Sequence, residues 1–101
     1  MIVRLTTFNV LPNKIEELTK IYSSEIVPIV KKQKGNLDCR LLEPIDRFDD
    51  FISMTVWDNQ QDADAYHSGG TYKQLVDKLK PFFTRDAMLK TYKAEDVMEH
   101  A

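Results

Sequence analysis

Few side chains in this chain of 101 residues can do chemistry unaided: two histidines, one cysteine, one tryptophan and four tyrosines. His67 is the most useful of them. An imidazole titrates near neutrality, so it could act as a general base or ligate a haem iron. In the plainer alternative it is a solvent-facing helix residue that satisfies a carbonyl. Trp57, ten positions earlier, could wall a pocket for a flat aromatic or quinone-like molecule and donate one hydrogen bond from its indole N–H. It could equally be a large anchor at a strand end. Tyr66, Tyr72 and Tyr92 could hydrogen-bond a phenolic oxygen, although tyrosine at helical spacing also fills cores. Arg4 shares an alternating face with Thr6 and Phe8. A buried guanidinium must be paired, so Arg4 is expected to meet a carboxylate of a partner subunit or an anionic group of a substrate. Cys39 has no Cys or His neighbour in sequence and reads as a small core residue. No His/Cys/Asp group has zinc spacing, no glycine-rich loop could cradle a phosphate, and no serine motif suggests hydrolysis. No metal site is therefore expected. His100 lies in a polar tail expected to fray over 94–101.

The elements that must position these residues follow from periodicity. Alternation predicts a first strand over Met1 to Leu11, left through Pro12-Asn13. Ile15, Leu18, Tyr22, Ile26 and Ile29 then recur at helical steps. Asn13 with Glu16 offers an N-terminal capping pair, Pro28 should kink or restart the helix, and Gly35 should end it. A second strand is expected over Asn36 to Glu43, a loop over Pro44 to Asp50, and a third strand over Phe51 to Trp57. Asp58 or Asn59 then caps a short helix through His67, which Gly69-Gly70 breaks. A further helix carries Tyr72, Leu75, Val76 and Leu79 to about Pro81, and Ala87 to Lys93 forms the fourth strand.

The order is β-α-β-β-α-β with the second helix split, a ferredoxin-like α+β arrangement whose antiparallel sheet is covered by helices on one face. The face bearing Phe51, Ser53, Thr55 and Trp57 is too aromatic to lie open to water. It is read as the face the helices leave open, and is therefore expected to be covered by a partner or a ligand.

These residues also resemble a known family. Thr55-Val56-Trp57 followed by DNQQDADAYHSGGTYKQL is similar to the core of the antibiotic biosynthesis monooxygenases. Pro12-Asn13-Lys14 resembles their Pro-Gly-Lys strand exit, and Lys34-Gly35-Asn36-Leu37 their Gly-Asn-Leu approach to the second strand. The likeness spans about residues 2–93. It implies a ferredoxin-like protomer that pairs sheet to sheet as a homodimeric α/β barrel, with a small-molecule pocket. The implied activity is cofactor-independent oxygenation of an aromatic, phenolic or quinol-type molecule, with His67 and Trp57 as catalytic candidates. Non-catalytic binding or stress response, and haem degradation, are the alternatives within the same fold. The haem-degrading branch joins its His and Trp to an Asn on the first strand. Aligning the exit turn here puts Thr6, rather than Asn9, on the matching face.

Composition narrows the partners. Fourteen basic residues against 16 acidic ones give a net charge of -2, which does not suit nucleic-acid binding. No apolar run approaches the roughly 18–20 residues that a membrane span needs. The first ten residues read as a strand rather than a signal peptide, and a single cysteine fits a reducing cytoplasm. So short a chain can scarcely supply both a core and an enclosed site, a conflict that a second subunit relieves.

Overall fold

In the computed structural model, which describes residues 1–95, the chain forms a four-stranded antiparallel sheet with helices on one face. The expected fraying of 94–101 falls largely outside the described residues, and His100 lies wholly outside them. Strands β1 (Ile2–Phe8), β2 (Asn36–Leu42), β3 (Phe51–Trp57) and β4 (Met88–Lys93) are ordered β2-β3-β1-β4. The two crossovers are helical, so the architecture is the ferredoxin-like one.

The first crossover is broken into segments, and its second helix restarts with Pro28 in its first turn, as expected. Pro12–Lys14 forms a 3₁₀ turn, followed by α1 (Ile15–Ile21), a π-helical turn (Tyr22–Ile26) and α2 (Val27–Lys31). Pro28 explains the widening, because it has no N–H to offer the carbonyl four residues earlier. The Val27 amide instead reaches back five residues to the Tyr22 carbonyl. The Asn13 cap does not form: Asn13 lies inside the 3₁₀ turn, and α1 starts without a side-chain cap. At the second crossover the Asn59 side chain accepts the Asp62 amide at 2.8 Å and caps α3 (Gln60–Ser68). Gly70, at φ 94°, then turns the chain into α4 (Thr71–Leu79).

The sheet faces divide the molecule differently from expectation. The side of β3 bearing Phe51, Ser53, Thr55 and Trp57 faces the helices, and Trp57 is fully buried. The side left open is the aliphatic one, with Val3, Leu5, Ile52, Met54 and Val56 half-buried and Leu42, Met88 and Tyr92 exposed at its edges. Polar residues in mid-sheet made the inner face look like the one turned outward. They are polar because they line a cavity.

Candidate functional site

Strand register assembles the floor of that cavity. Arg4 pairs with Thr55, and Thr6 with Ser53, so two adjacent central strands put four polar side chains in one patch beneath the helices. Aromatic residues close the two ends. Phe8 stacks on Phe83 at 4.7 Å and on Phe51 at 6.0 Å. At the opposite end Trp57 stacks on Tyr66 at 5.0 Å. The roof is Tyr22 and Ile26 of the π turn, Tyr66 and His67 of α3, and the inner face of α4 from Tyr72 to Leu79. The space enclosed is about 40 Å³. At about 10–15 Å³ per water it holds about three, against about 300–1,000 Å³ for pockets that take drug-sized molecules.

Each polar group in the wall has a distinct state. Arg4, only 8% exposed, donates from Nη1 to the Ala63 carbonyl at 2.7 Å and from Nη2 to Asp64. Its carboxylate partner thus comes from α3 of its own chain, where a partner subunit or a substrate had been expected. Arg4 Nε is buried and has no hydrogen-bond partner among the described residues. Tyr72 Oη and Thr6 Oγ1 share a hydrogen bond of 3.1 Å. Tyr22 Oη lies 2.7 Å from Ser53 Oγ and 3.3 Å from Cys39 Sγ, and donates to the Arg40 carbonyl at 3.2 Å. Burial raises the pKa of the Tyr22, Tyr66 and Cys39 side chains, so all three stay protonated near neutral pH. The His67 ring packs 4.3 Å from that of Tyr72. Burial first, and then the Arg4 charge, holds its pKa below the ordinary value, with Asp64 opposing in part. A neutral imidazole able to accept a proton therefore sits beside a guanidinium that attracts anions.

Seven of the residues singled out from sequence come together here: Arg4, Thr6, Ser53, Thr55, Tyr66, His67 and Tyr72. Four do not. Trp57 lies behind Tyr66 and spends its indole N–H on Thr55 Oγ1 at 2.9 Å. Phe8 and Phe51 pack at the sheet end. Tyr92 is paired opposite Val3 on the open face of the edge strand, pointing away from the cavity. Sequence reasoning missed Tyr22 as a wall residue, because its place in an apolar helical stripe is indistinguishable from core. Its hydroxyl was the one available signal.

A porphyrin does not fit this cavity as shaped, and the His67 ring is already packed against Tyr72. Asn9 sits at the strand mouth, donating to Asp50 at 3.1 Å and accepting from Thr84 at 2.8 Å, away from the site.

This fold, a four-stranded antiparallel sheet with helices on one face, is shared with known proteins. The chain matches the antibiotic biosynthesis monooxygenase family over residues 1–78. It belongs to that family. No curated protein matches it in sequence. Among solved structures it is similar to SnoaB, a cofactor-independent oxygenase from Streptomyces nogalater, at 13% identity and a TM-score of 0.78, covering 98% of this chain and 97% of that one. A monooxygenase from the gene ActVA-Orf6 of Streptomyces coelicolor, in complex with nanaomycin D, shares 12% identity at a TM-score of 0.79, over 99% and 92% of the two chains. A MhuD variant with two manganese protoporphyrin IX bound per active site shares 21% identity at 0.79, over 98% and 100%. At these identities the likeness carries the fold, which hosts both oxygenation and porphyrin binding. No helix among the described residues is long and apolar enough to cross a membrane.

Proposed function

We propose that this family member is a cofactor-independent oxygenase, working as a homodimer on a small phenolic, enolic or quinol-type molecule. The observation that carries the reading is the buried Arg4 guanidinium, which lines the cavity with its Nε–H unpartnered among the described residues and a neutral imidazole nearby. That pairing suits a substrate that reacts as its anion. His67 takes a proton from a ring CH₂ or its phenol tautomer, and the guanidinium and the protonated Tyr66 hydroxyl hold the developing oxyanion. The anion reduces dioxygen, and the carbon–oxygen bond forms as a hydroperoxide. Loss of water then leaves a carbonyl. Overall CH₂ plus O₂ becomes C=O plus H₂O, with no electrons required from elsewhere. Apolar walls from Ile26, Leu75 and Leu79 keep bulk water from the anion.

The dimer is supported by the open aliphatic sheet face, which a second copy laid sheet to sheet would cover. A reducing, cytoplasmic setting accords with the buried free thiol of Cys39. The test is oxygen uptake with anthrone- and quinol-type substrates. Turnover lost in His67→Gln supports the reading. No uptake across such a panel by an intact dimer overturns it in favour of a binding module.

A further inference from the structure

The buried cavity is too small for any substrate of the proposed class beyond its reacting edge. An open cleft of about 390 Å³ lies outside it, lined by Tyr72, Val76, Lys80, Phe83, Asp86 and Ala87. Tyr72 and Val76, one helical turn apart on α4, line both spaces and form the wall between them. We propose that Tyr72 is a door, and that the outer cleft is a subsite for the rings of the substrate remote from the reacting carbon. This rests on the oxygenase reading and adds to it the residue that sets substrate length.

Three observations favour Tyr72 as the moving element. It is half-exposed, and among the described residues its hydroxyl is held by one hydrogen bond, to Thr6. It lies in the first turn of α4, which has no side-chain cap. It follows Gly69-Gly70, and nothing lies within 4 Å of the Cβ position at Gly70, so this end of the helix has space in which to pivot. Tyr66 also separates the cavity from a surface cleft, of about 300 Å³, reached past Gln33 and Lys34. Tyr66, however, is 8% exposed and stacks on the fully buried Trp57, so moving it disrupts the core. With Tyr72 swung aside, cavity and cleft together reach the lower part of the range for small-molecule pockets. Phe83, Val76 and Ala87 offer apolar contact for a second ring, with Lys80 and Asp86 at the rim for polar substituents.

The test is an NMR shift titration of the whole chain with phenol and with 2-naphthol, in the wild type and in Ala87→Trp, Asp86→Trp and Gln33→Trp. The spectra also report whether each variant is folded, and exposed Asp86 gives a second way to fill the cleft should Ala87→Trp misfold. The second ring is expected to tighten binding about tenfold in the wild type. Either cleft-filling variant should erase most of that advantage, and Gln33→Trp should keep it. Tyr72→Phe, which cuts the latch and keeps the ring, should speed naphthol association severalfold in stopped flow. An advantage that survives both cleft-filling variants, one lost in Gln33→Trp, an unchanged association rate in Tyr72→Phe, or no binding of either probe at millimolar concentration each overturns the proposal. Oxygen uptake is read separately, so binding with this pattern but without turnover sinks the oxygenase reading and leaves the door standing.

Discussion

At the scale of single residues, the position of His67 beside Arg4 makes its protonation the most informative variable. Because its folded pKa lies below the unfolded value of about 6.5, protonation silences the base at acid pH. The rate of oxygen uptake should therefore fall on an acid limb below pH about 6.5. His67→Gln should lower the rate about a hundredfold and remove that limb. The same shift has a sign in stability. The unfolded imidazole takes its proton first, so this contribution is full above about pH 6.5 and is lost as pH falls towards the folded pKa. Urea midpoints at pH 7.5 and 5.5 should differ less in His67→Gln than in the wild type. Trp57 requires a different expectation. Sealed behind Tyr66 and bonded to Thr55, it should act through stability, and Trp57→Phe should cost about 1–3 kcal/mol by leaving Thr55 without its donor beside a small void. Denaturant unfolding checks this. His67 and Arg4 were legible in the sequence because their chemistry is conspicuous. Tyr22 was not, because a hydroxyl in an apolar stripe has no periodic signature.

At the scale of elements, the capping residue and glycine positions that frame α3 and α4 make separable predictions. Asn59→Ala removes the acceptor of the Asp62 amide and should cost about 1 kcal/mol. Gly35 and Gly70 both sit at positive φ, but their surroundings differ. A Cβ on Gly35 would collide with the Asp62 carboxylate, whereas at Gly70 it would meet open space. Gly35→Ala should therefore destabilise clearly more than Gly70→Ala, for which about 1–2 kcal/mol of backbone strain is the main penalty. Chemical denaturation of the two variants ranks them. The strands and α3 were readable from alternation and turn residues, with the first strand ending at Phe8 rather than Leu11 and the fourth starting at Met88 rather than Ala87. The π turn was not readable. Periodicity counts apolar positions, and Tyr22, Ile26 and Val30 keep a four-residue spacing whether the turn holds four residues or five. Leu37 falls where the β2–β3 register slips between Asn36 and Asp38, and it is exposed although Cys39, two residues on, is buried.

For the molecule as a whole, the main consequence of the fold is the sheet face that no helix covers. Its side chains are aliphatic where the inner face is mixed, the reverse of the rule that polar faces point outward. A cavity needs polar groups inside, and a surface that meets its own copy needs apolar groups outside. The sequence therefore marked one face of β3 as unsuited to open water, but not which face the helices occupy. A charge at the centre of the open face is the direct probe. Met54→Glu should leave the monomer folded and abolish the dimer, read by sedimentation at tens of micromolar, and a wild-type monomer at that concentration would contradict the expected assembly. If the barrel forms, Met54→Glu should also reduce oxygen uptake, because the sheet that carries Arg4 and Thr6 loses its backing.

The stacking of Trp57 on Tyr66 has an optical consequence. The chain contains one tryptophan, and it is fully buried against a ring that lines the cavity. Its emission should be blue-shifted and almost untouched by iodide in solution. It should still respond when a ligand displaces Tyr66 by a fraction of an ångström. The indole that took no place in the cavity thus becomes an unlabelled fluorophore for whatever enters it.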